Sequence, residues 1–305
     1  MNVKRIQDSF KKLTNLKFVD ENCDKHTFNK YGKEVVKLVR KMIDDAGTVY
    51  CPRCMVEEQN SVLFQQANNH YKKINRERKK NVLFQNSIIE NQSIIESRLS
   101  TYNTDCQETK ENKEKAMEII ERIKNGEFLN VYIAGIQGVG KSHLAYAMLY
   151  ELVKHYWVIS DGEKLNDEHA FKNMKSCLFV EIEKLIRLIQ HSFRNVESKY
   201  TMDYCISLMV DVDFLVIDDL GAESGSMNRN GEASDFVHKI LYGVTNGRQG
   251  ANKTTITTSN LSSAQLFQKY DPKLASRLLN GVSKDETIVF KTTTDKRIVN
   301  LDIGF

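Results

Sequence analysis

Apolar and polar positions change their rhythm along the chain, from helical stretches at the front to alternating strands and helices at the rear. Ile6–Leu13 carries apolar residues at helical spacing, and Val35–Ile43 is strongly apolar with basic interruptions. Residues 55–100 contain no proline and are rich in Asn, Gln, Lys and Glu, which predicts a long helical arm. Helix resumes over Asn112–Ile123 and ends at Asn125-Gly126. Beyond it, Val131–Ala134 reads as a buried strand, His143–Leu149 as a helix, Phe179–Ile182 as a strand and Glu183–Gln190 as an amphipathic helix. Phe214–Asp219 is a buried strand ending in two carboxylates, Thr254–Thr258 is a β-branched strand, and Pro272 opens a further helix. Alternation of this kind predicts an α/β unit: a parallel sheet covered on both faces, with ligands at the carboxyl ends of its strands.

The 305 residues suffice for about two domains with a core that folds without staples. No apolar run approaches the ~18 residues of a membrane span, and the polar start Met1–Arg5 lacks a signal-peptide core, so no membrane association and a cytoplasmic location are expected. Charge is uneven. Residues 1–100 carry 19 Lys and Arg against 12 Asp and Glu, whereas 101–305 carry 25 against 28. The front of the chain therefore either meets an acidic partner or presents a solvated basic helix. The same two readings apply to the cluster Lys72–Lys80.

Gly135-Ile136-Gln137-Gly138-Val139-Gly140-Lys141-Ser142 fits the phosphate-loop pattern G-x-x-x-x-G-K-[ST] between a strand and a helix. A glycine-rich turn lets backbone N–H groups converge on phosphates at a helix N-terminus, where the macrodipole favours negative charge. ATP is the expected ligand, with Lys141 on the β- and γ-phosphates, Ser142 offering its hydroxyl to Mg²⁺ and His143 opening the helix beyond. The strand ending Asp218-Asp219 supplies what such a loop needs: Asp218 at the Mg²⁺, directly or through water, and Asp219 to orient and deprotonate the attacking water. Asn260, at the tip of the 254–258 strand, is placed to hold that water near the γ-phosphate. Arg277, on an otherwise apolar turn, is either a structural ion-pair residue or an arginine finger offered to a neighbouring subunit.

Four of the six cysteines lie in the first 106 residues. Cys23-x-x-His26, followed after 24 residues by Cys51-x-x-Cys54, offers four ligands suited to a closed, structural, tetrahedral Zn²⁺ site. A rival set keeps Cys51 and Cys54 but takes His70 and Cys106. Cys177 and Cys205 stand in apolar surroundings and read as buried core thiols.

The order GIQGVGKSHLA from Gly135, FLVIDDLGAE from Phe214, TTSNL at Thr257–Leu261, SRL at Ser276–Leu278 and DKR at Asp295–Arg297 resembles AAA+ ATPases of the DnaC/DnaI helicase-loader type, related to IstB. The resemblance covers about two thirds of the chain, from near residue 101 to its end. It implies an AAA+ P-loop NTPase with Asp218 and Asp219 as Walker B pair, Asn260 as sensor 1, Arg277 as a trans-acting finger and Arg297 as a sensor 2-like arginine. Only eight residues follow Arg297, which implies no C-terminal helical lid, as in loaders. Asp219 departs from the Asp-Glu ending of many AAA+ proteins. The front resembles, more loosely, the zinc-binding portion of DnaI-like and phage loaders, and a phage or bacterial origin fits.

The resemblance implies a zinc-binding, helicase-contacting module over 1–58, a helical linker over 59–100 and the AAA+ ATPase domain over 101–305. The implied function is ATP-dependent helicase loading, with slow, regulated ATPase activity. The implied partners are a DnaB-type replicative hexameric helicase, single-stranded DNA and further copies of the chain through the ATPase domain. The alternatives are an IstB-like transposition helper and a zinc adaptor that binds nucleotide without turnover.

Overall fold

The computed structural model of the chain describes residues 17–162, 174–223 and 234–297. The helix expected at Ile6–Leu13, and the residues after Arg297 on which the lid expectation rests, lie outside the described residues. The chain divides into two compact units, Met1–Lys73 and Ile74–Phe305.

In the first unit, β1 (Lys17–Cys23), β4 (Val39–Ile43) and β5 (Val49–Tyr50) form an antiparallel sheet in that order, and β2 (Thr27–Lys30) pairs with β3 (Lys33–Val36) as a hairpin. Tyr31 and Gly32 turn the hairpin with φ of 53° and 78°, the paired positive values that match the twist of the flanking strands. The apolar run Val35–Ile43 thus becomes two strands, as its β-branched valines favour. Among the described side chains of this unit, only Cys23, His26, Met42 and Cys51 are buried. One methionine cannot stabilise a fold by burial, so the interior of this unit is built of ligand atoms in place of hydrocarbon.

Helix α1 (Pro52–Asn86) runs unbroken for 35 residues, with Pro52 at its first turn. It ends at Asn86, short of the residue 100 that the missing prolines allowed. The reason is long-range. The Ile88 N–H donates to the Phe179 carbonyl (2.9 Å) and the Glu181 N–H to the Ile88 carbonyl (2.8 Å), so the backbone after Asn86 is committed to a sheet edge. A short 3₁₀ turn, Gln92–Glu96, follows with Asn91 as its cap.

In the second unit the elements are α2 (Gln107–Lys124), β6 (Asn130–Gly135), α3 (Lys141–Gly162), β7 (Cys177–Glu181), α4 (Ile182–Ser192), α5 (Met202–Asp211) and β8 (Phe214–Leu220). They continue with α6 (Asp235–Gly250), β9 (Thr254–Ser259), α7 (Ser263–Lys269), α8 (Pro272–Leu278) and β10 (Thr287–Phe290). The sheet has the order β10-β6-β9-β8-β7 and every pair is parallel. One apolar cluster packs α2 and α3 against it and a second packs α4, α5, α6 and α8, which explains why the strands read as continuous apolar runs. Cys177 and Cys205 are buried there as expected.

At the amino ends of the strands, the buried Arg248 donates to the carbonyls of Met209, Val212, Asp213 and Thr254 and locks the loops together. The carboxyl ends are left to build a site. Among the described residues no helix is long and apolar enough to cross a membrane.

Candidate nucleotide site and metal centre

Strand β6 ends at Gly135, where a Cβ would stand 2.7 Å from the Phe290 Cβ on β10, so only glycine fits. The loop then turns through Gly138 and Gly140, at φ of 79° and 98°, and α3 starts at Lys141. This is the backbone geometry of a phosphate cradle: a helix N-terminus behind a turn whose glycines carry no side chain of their own.

Lys141 is buried, and its ammonium donates to the Gly135 carbonyl (3.0 Å), the Ile136 carbonyl (2.8 Å) and the Asn260 amide oxygen (2.6 Å). Burial pushes its pKa down, opposed by the negative charges of Asp219 and Asp218. The contact with Asn260 spans 119 residues of sequence and brings the tips of β6 and β9 together.

At the end of β8, Asp218 is buried and accepts from the Thr258 hydroxyl at 2.6 Å, and the nearby Ser142 hydroxyl also favours its charged form. Thr258 in turn accepts the Asp219 N–H at 2.9 Å. Asp219 adopts φ of 53°, and the β8–β9 register slips between Ile217 and Leu220 to accommodate it. Burial, then the charge of Asp219, raises the Asp218 carboxyl to about 7. Ser142 and Asp218, the residues expected at Mg²⁺, thus line the same cavity, and a divalent cation would replace the proton that a buried carboxyl otherwise retains.

A cavity of about 600 Å³ opens over these groups. The loop contributes Gln137, Gly138, Gly140, Lys141, Ser142 and His143, and the strand ends contribute Asp218 and Asp219. Arg297 lines it as well. Gly135 serves through its carbonyl, while the Val139 side chain is buried in the core and leaves only its backbone available. Arg277 is elsewhere: its Nε donates to the Asn246 side chain (2.6 Å) and its guanidinium lies 4.6 Å from the centre of the Tyr242 ring.

Sequence reasoning missed three parts of this site. Glu181, half-buried at the end of β7, lines the cavity and accepts the Glu90 N–H at 2.7 Å; its carboxyl is pushed up by burial. The 3₁₀ segment contributes Asn91, Ser93, Ile94 and Ser97 to the cavity wall. Thr258 was visible only as one of four threonines in a strand. A strand ending in an acid, Phe179–Glu181, was the available signal for Glu181.

In the first unit, the ligand atoms of Cys23, His26, Cys51 and Cys54 all lie within 4.8 Å of one another. His26 Nε2 is 3.2 Å from the Sγ atoms of both Cys51 and Cys54, and the Sγ atoms of Cys23 and Cys54 are 3.7 Å apart. Against the cost of burial, the backbone N–H of Cys54 and the ring of His26 bring the Cys51 thiol down to about 7, whereas burial and the neighbouring thiols raise Cys54 to about 11. Three thiols and one imidazole converging in this way suit Zn²⁺. Of the rival set, Cys106 belongs to the second unit, where it caps α2 and contacts the hydroxyls of Thr109 (3.4 Å) and Thr293 (3.7 Å). Behind the site, Glu57 Oε2 holds His26 Nδ1 at 3.0 Å, which fixes the tautomer that presents Nε2 to a metal.

No protein-family model matches the chain and no curated protein matches it. Among solved structures, DnaI is similar at 22% identity and a TM-score of 0.50 over 67% of this chain and 96% of that one. The DnaC helicase loader is similar at 20% identity and a TM-score of 0.48, over 66% of this chain and all of that one. AMPPCP-bound DnaA from Aquifex aeolicus is similar at 17% identity and a TM-score of 0.47, over 66% of this chain and 52% of that one. The likeness to DnaI is one of fold: a parallel five-stranded sheet of order β10-β6-β9-β8-β7 covered by helices, with the phosphate-loop sequence following β6.

Two outcomes follow from the two centres. The purified protein will carry one zinc per chain by elemental analysis, and Glu57→Gln will weaken zinc affinity by ~10–100-fold in a chelator competition; an unchanged affinity removes Glu57 from the site. With the Asp218 carboxyl raised to about 7, protons compete with Mg²⁺ below that pH. The Mg²⁺ requirement for nucleotide binding will rise by up to about tenfold per pH unit below 7 and level off above it. The same slope in Asp218→Asn would assign the titration to another group.

Proposed function

We propose that the chain is an ATP-dependent helicase loader. In this reading the front unit, organised by Zn²⁺, grips a DnaB-type hexameric helicase, and the AAA+ unit assembles with further copies and assists deposition of the ring on single-stranded DNA. ATP binding and hydrolysis act as the switch. The reading places the protein in the cytoplasm, where thiols stay reduced and available to a metal.

The observation that carries the ATPase part is the convergence of Lys141, Ser142, Asp218 and Asp219 at one cavity, with Asn260 bonded to the Lys141 ammonium. The Lys141 ammonium exchanges its carbonyl and amide partners for the β- and γ-phosphates, and Asn260 is left beside the γ-phosphate to hold water. Asp219 receives the proton of that water. Ser142 and Asp218 would hold Mg²⁺, which when bound neutralises phosphate charge. Arg277, outside the cavity of its own chain and half-exposed, is available to the nucleotide of a neighbouring copy.

One observation favours a second reading. Asp219 is a short carboxylate in a left-handed backbone conformation, which suits an adaptor that binds nucleotide and does not turn it over. Steady-state hydrolysis measured with single-stranded DNA present separates the two. The loader reading expects ATPase activity that Lys141→Ala lowers by ~100-fold or more, together with capture of the helicase that is lost in Cys51→Ser/Cys54→Ser. Equal background rates in wild type and Lys141→Ala leave the adaptor, and capture of a transposase in place of the helicase favours the IstB-like helper.

A further inference from the structure

Strand β10 runs parallel to β6 with Phe290 opposite Gly135, so the chain leaves β10 beside the start of the phosphate loop. The next three residues aim their backbone at a single carboxylate. Glu108, in the first turn of α2, accepts the N–H groups of Lys291 (2.6 Å), Thr292 (3.1 Å) and Thr293 (2.8 Å), and the Thr293 hydroxyl as well. Asn112, one turn further along α2, donates to the Val289 carbonyl at 3.1 Å. A carboxylate held by several donors is a strong, directional anchor. Although burial opposes ionisation, these bonds keep the Glu108 carboxyl charged, near about 2.

From that anchor the chain crosses the phosphate loop. The Lys296 N–H donates to the Gly138 carbonyl at 3.1 Å, and the Lys296 ammonium donates to the Asn103 carbonyl (3.0 Å) and to Asp105 (2.8 Å). Asp295 rests directly on Gly138: a Cβ there would fall 1.7 Å from its carboxylate oxygen. The same oxygen accepts the Arg297 N–H at 2.9 Å, and Arg297 lines the cavity. Residues 291–297 thus form a strap fixed at one end by Glu108 and at the other by Lys296, lying over the loop that cradles phosphate.

We propose that Glu108 is a positioning residue of the nucleotide site: through the strap it sets the phosphate loop at Gly138 and delivers Arg297 to the cavity. The inference rests on the nucleotide-binding reading above. Glu108 lines no part of the cavity and acts on the ligand only through residues 291–297. A purely structural anchor would lower the thermal stability of the unit and leave affinity at low temperature, and its dependence on Arg297, untouched.

The test is a double-mutant cycle on the full chain, with Mg²⁺·ATP affinity read by calorimetry well below the melting temperature. Glu108→Gln and Arg297→Ala are each expected to weaken binding about tenfold, and the double variant no further than either alone, because residues acting through one network do not add. Wild-type affinity in Glu108→Gln, or losses that multiply in the double variant, would overturn the proposal. Should Glu108→Gln fail to fold, Lys296→Ala releases the other end of the strap. It is expected to weaken binding in the same way, and wild-type affinity there is equally fatal. If the wild type itself binds no nucleotide, the functional reading falls and takes this inference with it. Binding by the wild type that Glu108→Gln leaves intact removes this inference alone.

Discussion

A buried ammonium, with no carboxylate in hydrogen-bond reach among the described residues, sets the terms for the second unit. Lys141 is held by two carbonyls of its own loop and by the Asn260 amide, dipoles that hold a cation in place without neutralising it. Burial of the side chain leaves the charge little solvation of its own. The nearby charges of Asp218 and Asp219 sustain it, and burial raises Asp218 in turn. The cavity therefore has charges on both sides that are only partly balanced, a condition that a polyphosphate carrying a divalent cation satisfies from both directions.

The rest of the fold can be understood as what this arrangement demands. The tips of β6, β8 and β9 must sit side by side, which the order β10-β6-β9-β8-β7 provides. Thr258 bridges β9 to both Asp218 and Asp219, accepting from one backbone N–H and donating to one side chain, so that the slip in register around Asp219 does not disturb Asp218. The opposite end of the sheet is closed by Arg248, whose donors are spent on four carbonyls and the Thr255 hydroxyl. The first unit follows other physics. With Met42 the one buried side chain there that is not a ligand among its described residues, its order depends on what Cys23, His26, Cys51 and Cys54 hold.

Much of this was legible in the sequence where local chemistry decides. A buried parallel strand is apolar on both faces, so β6, β7 and β8 announce themselves, and the phosphate loop needs glycine and lysine at fixed offsets. The paired cysteine knuckles were legible for the same reason, since two ligands on one turn imply one ion. What escaped is set by long-range register. Nothing near Asn86 shows that α1 must stop there, because the cause is the pairing of Ile88 with β7, some 90 residues away. Glu108 reads as an ordinary acidic residue in a helical first turn, and its partners at 291–293 are backbone groups that leave no mark in the sequence. Strand β10, Thr287–Phe290, had a β-branched signature that could have been read.

The claim that Lys141 is held by dipoles, with no carboxylate bonded to it, is tested most directly by giving it a permanent anion. Asn260→Asp keeps the size of the side chain and places a carboxylate where the amide oxygen now lies 2.6 Å from the ammonium. Calorimetric titration with Mg²⁺·ATP is predicted to show affinity weakened by about tenfold or more relative to the wild type, because phosphate must then displace an ion pair. Affinity equal to that of the wild type would contradict the account.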